Sequence, residues 1–366
     1  MMSFNRICVI LIAVLCLFGA VSGIHAQELS ALNGMSISAQ WFLSYLNGES
    51  DGSAYNYFTM KRGYLNFKKQ ISAHLSTRIT PDVSVDGEGD GRGDIEMRIK
   101  YCYLRYKFND VSILTQPSIE FGVAHRPWID FEQNINPYRV QGTLFLERAG
   151  IVSSADFGVT AFSLLGGEID QAYQDNVNSA YPGRYGSLSF GIYNGGGYHA
   201  IEENRNKTLE SRITLRPLPD FIPGLQFSYH GIYGKGNTAL APDWEMNSLF
   251  LSMEHRIFTT TATWFNSLGN GKGSWINDNN QSVRMTGYSL FADVYTPVTN
   301  LSVFARHDHV ESVDTAVDDT RNRWISGIAY HLPGGSKILV NFDHYKRNAV
   351  VTKTECVAEI AIELKY

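Results

Sequence analysis

The chain has 366 residues, of which 44% are hydrophobic and 18% charged, and its formal net charge is −5. That mild acidity argues against a general nucleic-acid binder. Tyr and Phe number 20 each and Gly 33, a balance that favours strands joined by turns over helices.

The first stretch, "MMSFNRICVILIAVLCLFGAVSGIHAQ", carries Arg6, an apolar run from Ile7 to Ala20, and small residues that close on Ala26. This layout reads as a secretory signal peptide over 1–26, with Gln27 as the first mature residue. The run is shorter than the ~20 residues a spanning helix needs. Cys16 is followed by Leu17 and Phe18, which argues against lipid attachment there. Residues 27–366 read as one domain, because no linker divides them and no convincing amphipathic helix interrupts them.

Sixteen alternating segments follow, near 35–46, 55–69, 72–86, 94–108, 117–126, 148–164, 185–195, 208–218, 223–235, 246–257, 258–267, 283–296, 299–311, 320–332, 335–347 and 352–366. Successive side chains of a strand point to opposite faces, so each segment has an apolar and a polar side. In "AHLSTRITPDVSVD", Leu75, Ile79, Val83 and Val85 alternate with His74, Arg78, Asp82 and Asp86. In "GDIEMRIKYCY", Met97, Ile99, Tyr101 and Tyr103 alternate with Glu96, Arg98 and Lys100. On this parity Cys102 joins the charged side and Cys356 the apolar side of the last strand, so no disulfide is expected, although export would permit one. The last segment, "ECVAEIAIELKY", sets Cys356, Ile360, Ile362, Leu364 and Tyr366 against Glu355, Glu359, Glu363 and Lys365.

The connections alternate too. Short ones near 68–72, 254–258, 296–300 and 332–336 take turns with long Gly/Asn-rich ones at 86–94, 194–207, 267–281 and 311–322. A transmembrane barrel does this, with short periplasmic turns and long extracellular loops. The stretch 165–185 breaks the rhythm and reads as an insertion. Segment length agrees, since spanning needs ~9–11 tilted residues and sandwich strands average ~5–6. Charges in mid-strand settle the faces: in lipid each costs several kcal/mol, so they face water in a lumen. Trp41, Trp324, Tyr295, Tyr330, Tyr345 and Tyr366, at segment ends, suit interfacial girdles. The expected fold is an all-β, sixteen-stranded antiparallel transmembrane β-barrel in the outer membrane.

Other patterns carry less. "DGEGDGRGD" opens like a calcium loop, but Met97 stands where the closing Glu belongs. His307 and His309 share a lipid-side parity with no third ligand in view, so no metal is expected. No nucleophile elbow or phosphate-cradling loop is present, so no enzyme and no cofactor is expected. The other readings are a closed barrel acting as an adhesin or anchor, and a soluble secreted β-sandwich binding module.

"FTMKRGYLNFKKQIS" at 58–72, "STRITPDVSVDGEGD" at 76–90, "EMRIKYCYLRYKF" at 96–108, "FGVAHRPWIDFEQ" at 121–133, "FLERAGIVSSADFGVTAFS" at 145–163 and "YNGGGY" at 193–198 resemble, in order, the phosphate-selective porins of Gram-negative outer membranes. The resemblance implies a sixteen-stranded passive channel, commonly trimeric, embedded in outer-membrane lipid and lipopolysaccharide. The final strand resembles the aromatic-ended signal read by the barrel-assembly machinery. Basic residues set anion preference in that family. Positions of lumen parity here are Arg62, Arg78, Arg98, Lys100, Arg126, Arg212 and Arg216. Acidic neighbours at Asp82, Asp86, Glu96, Glu120 and Asp156 moderate that preference. Residues 127–147 correspond to the loop that narrows such pores, with Arg126, Asp130, Glu132 and Arg139 as constriction candidates.

Overall fold

The computed structural model describes residues 33–366, except 88, 90 and 315–317. The expected signal peptide, 1–26, lies outside them. Residues 37–366 form one compact unit. Its strands are β1 (Met35–Ser50), β2 (Ser53–Gln70), β3 (Leu75–Val85), β4 (Ile95–Lys107), β5 (Leu114–His125), β6 (Ala155–Leu165), β7 (Gly186–Tyr193), β8 (Thr208–Leu215), β9 (Leu225–Lys235), β10 (Asp243–His255), β11 (Phe258–Leu268), β12 (Arg284–Tyr295), β13 (Leu301–Ser312), β14 (Thr320–His331), β15 (Lys337–Asn348) and β16 (Lys353–Lys365). Each strand pairs with its chain neighbours, and β16 returns to β1, giving a closed antiparallel barrel of sixteen strands.

The seam runs from Gln40 opposite Lys365 to Ser50 opposite Glu355. Ala39 and Tyr366 exchange backbone hydrogen bonds of 2.7 and 3.1 Å, and Trp41 Nε1 donates to Tyr366 Oη at 2.7 Å. Closure leaves no unpaired sheet edge, which a lipid-facing backbone requires. Both ends of the barrel therefore share one rim with the turns 71–74, 256–257, 296–300 and 332–336. The longer loops crowd the opposite rim.

Alternation holds along most strands. In β8, Glu210, Arg212 and Thr214 are buried inside the barrel while Leu209, Ile213 and Leu215 stand exposed outside it. The outer face is a band of exposed Leu, Ile, Val and Phe, the surface lipid would cover. The fold is that of a multi-pass outer-membrane barrel.

Parity breaks in β5, where the register shifts between Thr115 and Ser118, and in β4. Thr80 pairs with Tyr101 but Pro81 pairs with Ile99, so Lys100 is an extra residue, a β-bulge. Past it the faces exchange. Tyr101 and Tyr103 are buried inside, and Cys102 is exposed outside. The parity assignment above is therefore corrected: both cysteines lie on the outer face, and both are free thiols. Tyr345 also differs from expectation. It sits opposite Arg323, whose guanidinium lies 5.2 Å above its ring, so it lines the interior rather than a girdle.

Two connections fold inward, and both contain helix that the alternation pattern did not show. Residues 126–154, between β5 and β6, hold α1 (Ile129–Gln133) and α2 (Phe145–Arg148). The sixth strand begins at Ala155 rather than near 148, because Phe145–Arg148 is helical. Residues 166–185, between β6 and β7, hold α3 (Gln171–Asn176), capped by Asp170, which accepts from the Ala172 N–H at 2.8 Å. This is the stretch that broke the rhythm of the connections.

Candidate pore and constriction

The loop 126–154 begins against the β9–β12 wall and then crosses the lumen, where Tyr138 and Val140 pack with Phe42, Phe304 and Leu339. The stretch "PWIDFEQ" makes one amphipathic turn, with Trp128, Ile129 and Phe131 buried and Asp130 turned the other way. Trp128 stacks on His230 at 4.9 Å and meets Phe250 edge-on at 5.2 Å. Leu144, Phe145, Leu146 and Ile151 continue the contact onto Met246, Phe265 and Met285. The interior face of β9–β12 thus carries apolar residues at lumen positions, and the loop keeps them dry.

Three of the expected pore arginines belong to this dry side. Arg126, Arg212 and Arg216 are no more than 2% exposed. Arg212 Nε donates to the Pro127 carbonyl at 2.9 Å, Nη1 donates to Ser187 and Thr214, and the guanidinium lies 4.2 Å over the Phe131 ring. Arg126 is paired with Glu210 at 2.6 Å, and Glu210 also receives His230 at 2.7 Å. Arg216 donates to the Gly183 carbonyl at 2.8 Å. A buried cation needs such partners, because losing water costs several kcal/mol. These side chains hold the two inward-folded connections.

The opposite wall, β2–β5, is wetter. Arg62 pairs with Asp82 at 2.7 Å and Arg98 lies 3.5 Å from Glu96. Lys100 is buried, with its ammonium 4.3 Å above the Tyr64 ring. Arg78 donates to Asn66 and Thr80 at 2.6 and 2.8 Å and lies 4.5 Å over Tyr101. Lys68 stands directly opposite Arg78 and is exposed. Among the described residues neither has a carboxylate within salt-bridge distance. Arg105, by contrast, is paired with Glu120, whose other oxygen meets His125 Nδ1 at 2.9 Å.

Asp130 faces this wall from α1. It accepts from Tyr181 Oη at 2.7 Å and Gln133 Nε2 at 2.8 Å, and His125 Nε2 stands 3.9 Å away. Burial alone would raise its carboxyl, but His125, the Tyr181 hydroxyl and Arg78 hold it below the ordinary value. The space between them is a chamber of about 350 Å³ lined by Arg105, Lys107, Glu120, His125, Asp130 and Tyr181.

Glu132, the other carboxylate of α1, points the opposite way and is buried. It accepts from Trp128 Nε1 at 2.7 Å, and burial pushes it up to about 7. Arg139 makes a two-pronged contact with Glu147 of the same loop, at 2.5 and 3.0 Å. Lys61 ties the loop to the seam, donating at 2.6 Å to both the Gln141 carbonyl and Glu359. At Gly142 a Cβ would strike Arg148 Nη2, so a larger residue there would displace that guanidinium.

Of the ten candidates, Asp130, Arg126 and Arg212 line the chamber, while Arg78 stands beside it, 3.2 Å from His125 Nε2, with Arg62 and Arg98 on the same wall. Arg139 is spent on Glu147, and the rest are buried. Lys68 shares the parity of Arg62 and was legible by the same rule. Arg105 was not, because the bulge at Lys100 moves it to the inside. Tyr181 lies in a segment with no alternation to read.

His307 and His309 face outward. His307 stacks on Trp324 at 3.9 Å and His309 Nδ1 lies 2.9 Å from Asn322 Oδ1. No group of three or more metal-ligating side chains occurs among the described residues. The calcium-like loop includes Glu88 and Asp90, which lie outside them.

No family model matches the chain, and no curated protein matches it. Solved structures do. OmpT, an outer membrane protein of Vibrio cholerae with its loop L8 deleted, aligns with a TM-score of 0.59 at 10% identity, over 90% of this chain and 100% of that one. OmpF of Salmonella typhi, solved with daunomycin, gives 0.59 at 10% identity, over 90% and 97%. The outer membrane channel DcaP of Acinetobacter baumannii gives 0.54 at 10% identity, over 91% and 98%. The likeness is one of fold: these neighbours are outer-membrane porins and channels.

Proposed function

We propose that the protein is a passive diffusion channel of the outer membrane, for small hydrophilic solutes, with a preference for anions. The rim that holds the chain ends faces the periplasm. No chemistry is performed. The observation that carries the preference is the pair Lys68 and Arg78, two cations without a carboxylate partner on the wettest wall. They outnumber Asp130, the carboxylate that faces them from α1. Fixed charge lining a narrow aqueous passage concentrates counter-ions and raises their flux.

Most other lumen cations are neutralised by a neighbour: Lys61 by Glu359, Arg62 by Asp82, Arg105 by Glu120, Arg306 by Asp308 and Arg323 by Asp343. The proposed preference is therefore for anions as a class, phosphate-like ions included, and modest in size. Outer-membrane lipid and lipopolysaccharide around the barrel, a homotrimer, and delivery by the barrel-assembly machinery through β16 belong to the same reading.

Planar-bilayer recording tests it. In a salt gradient the reversal potential should report anions as the more permeant species, and Lys68→Gln with Arg78→Gln should move it towards zero or beyond. A reversal potential of the cation-selective sign in the unaltered protein sinks the anion preference and leaves the channel standing. A second reading, a closed barrel serving as an anchor, is favoured by the two connections that fill the lumen. Absence of any unitary current from folded protein would select it.

A further inference from the structure

The connection 166–185 is unusual in its direction. It leaves the periplasmic rim, where the other turns are short, and turns into the lumen to meet the loop that enters from the far side. The contact is specific. Tyr181 Oη donates to Asp130 at 2.7 Å, and its ring packs edge-on against Phe131 at 5.3 Å and Phe162 at 5.5 Å. Arg212 lies 5.2 Å over the same ring. Three residues earlier, Asn178 Nδ2 bridges the Asn134 carbonyl at 2.9 Å and Glu254 at 2.6 Å.

The backbone at Tyr181 adds an independent sign. Its φ is +51°, a left-handed conformation that a bulky side chain adopts at a cost of about 1–3 kcal/mol. Such a cost persists only where surroundings over-determine the residue. A simple turn would not need it. Glu168 and Gly183 already bridge as neighbouring strand residues, and the Ile169 N–H reaches the Pro182 carbonyl at 2.7 Å. The ladder could close there with two residues, and the chain instead carries twelve, 170–181, into the lumen.

We infer that the connection 166–185 is the periplasmic half of the constriction, with Tyr181 as the positioning residue that fixes Asp130 opposite Lys68 and Arg78 and so sets both the width and the charge of the passage. The inference rests on the channel reading above. Loop 126–154 supplies Asp130 from one side, and the connection buttresses it from the other. Without the buttress, α1 keeps its anchor on His230 and Arg212 but loses the restraint on its acidic edge.

Two variants test this. In the first, residues 170–181 are replaced by Asn-Gly, a two-residue hairpin that the 169–182 contact can accept. The barrel is expected to fold, shown by heat-modifiable gel mobility, and its unitary conductance to rise about two-fold with noisier open levels. In the second, Tyr181→Phe keeps the ring contacts and removes only the donor to Asp130. Asp130 is also faced by Lys68, Arg78, Glu120, His125 and Arg212, all unchanged. Acidification neutralises Asp130 and should raise anion selectivity. In Tyr181→Phe that rise is expected at higher pH than in the parent, and in Asp130→Asn it should be smaller than in either.

A folded excision variant with parental conductance overturns the inference, as does a Tyr181→Phe variant with the parental pH profile. Should the excision fail to fold, the Tyr181→Phe profile decides alone. A parent protein that folds and passes no current strikes the channel reading instead.

Discussion

The two walls of the lumen are built from the same alternation and end in opposite states. On β2–β4, inward residues such as Lys68, Arg78 and Arg98 remain in contact with water. On β8–β12, inward residues such as Arg212, Trp244, Met246, Phe250 and Phe265 are sealed beneath loop 126–154. Strand parity decides which side of the sheet a residue occupies. What then covers that side is decided by the loops. A basic residue of lumen parity can line a channel or fasten a loop, and only its partners tell which. Arg78 has polar partners and a ring but stays partly exposed, whereas Arg212, with a backbone carbonyl, two hydroxyls and a ring around it, is fully buried.

That contrast can be broken most forcefully at Trp128. Removing a fully buried Trp costs about 3–5 kcal/mol, so Trp128→Ala should detach α1 from the β9–β10 wall and wet it. The expected outcome is a larger, unstable unitary current from a barrel that still shows heat-modifiable mobility. A smaller effect separates the two kinds of arginine. Arg78→Gln should shift the reversal potential, and Arg216→Gln should leave it in place while lowering the temperature at which the barrel unfolds. Equal shifts from both would erase the distinction between a wet and a dry wall.

The smallest effect concerns Glu132. Burial holds its carboxyl near 7, so it keeps a proton in the folded protein that the unfolded chain has already lost above its ordinary value. Its contribution to stability is therefore complete in acid and falls as pH rises from the ordinary carboxylate range to about 7. Glu132→Gln should stabilise the folded barrel at pH 8, by on the order of 1–3 kcal/mol, read as a higher unfolding temperature, and change little at pH 4. An identical gain at both pH values would show that the carboxyl is not titrating there.

Much of the architecture was legible because alternation is a local property. Every one of the sixteen segments became a strand, and the seam pairs β1 with the last of them, "ECVAEIAIELKY". The site was less legible, for three physical reasons. The bulge at Lys100, opposite Pro81, reverses faces within one strand, so Tyr101, Cys102 and Tyr103 were assigned to the wrong sides. Short helices such as Phe145–Arg148, a single turn held by tertiary contacts, have no periodicity long enough to detect. Burial of Arg126, Arg212 and Glu132 depends on a loop folding across the lumen, which is a long-range event with no local mark.

The hydrogen bonds between Ala39 and Tyr366 place the two ends of the barrel side by side. A short linker could join them, and new ends could be opened at the tight hairpin 51–52 between β1 and β2. Such a circular permutant would keep every strand neighbour and yet would finish on β1, an edge now ending in Asn, Gly, Glu and Ser in place of Glu, Leu, Lys and Tyr. Geometry and delivery would then be separable. The permutant should refold from denaturant in detergent as the parent does, while its route into a membrane inside a cell would depend on whether the assembly apparatus reads the last strand or the finished ring.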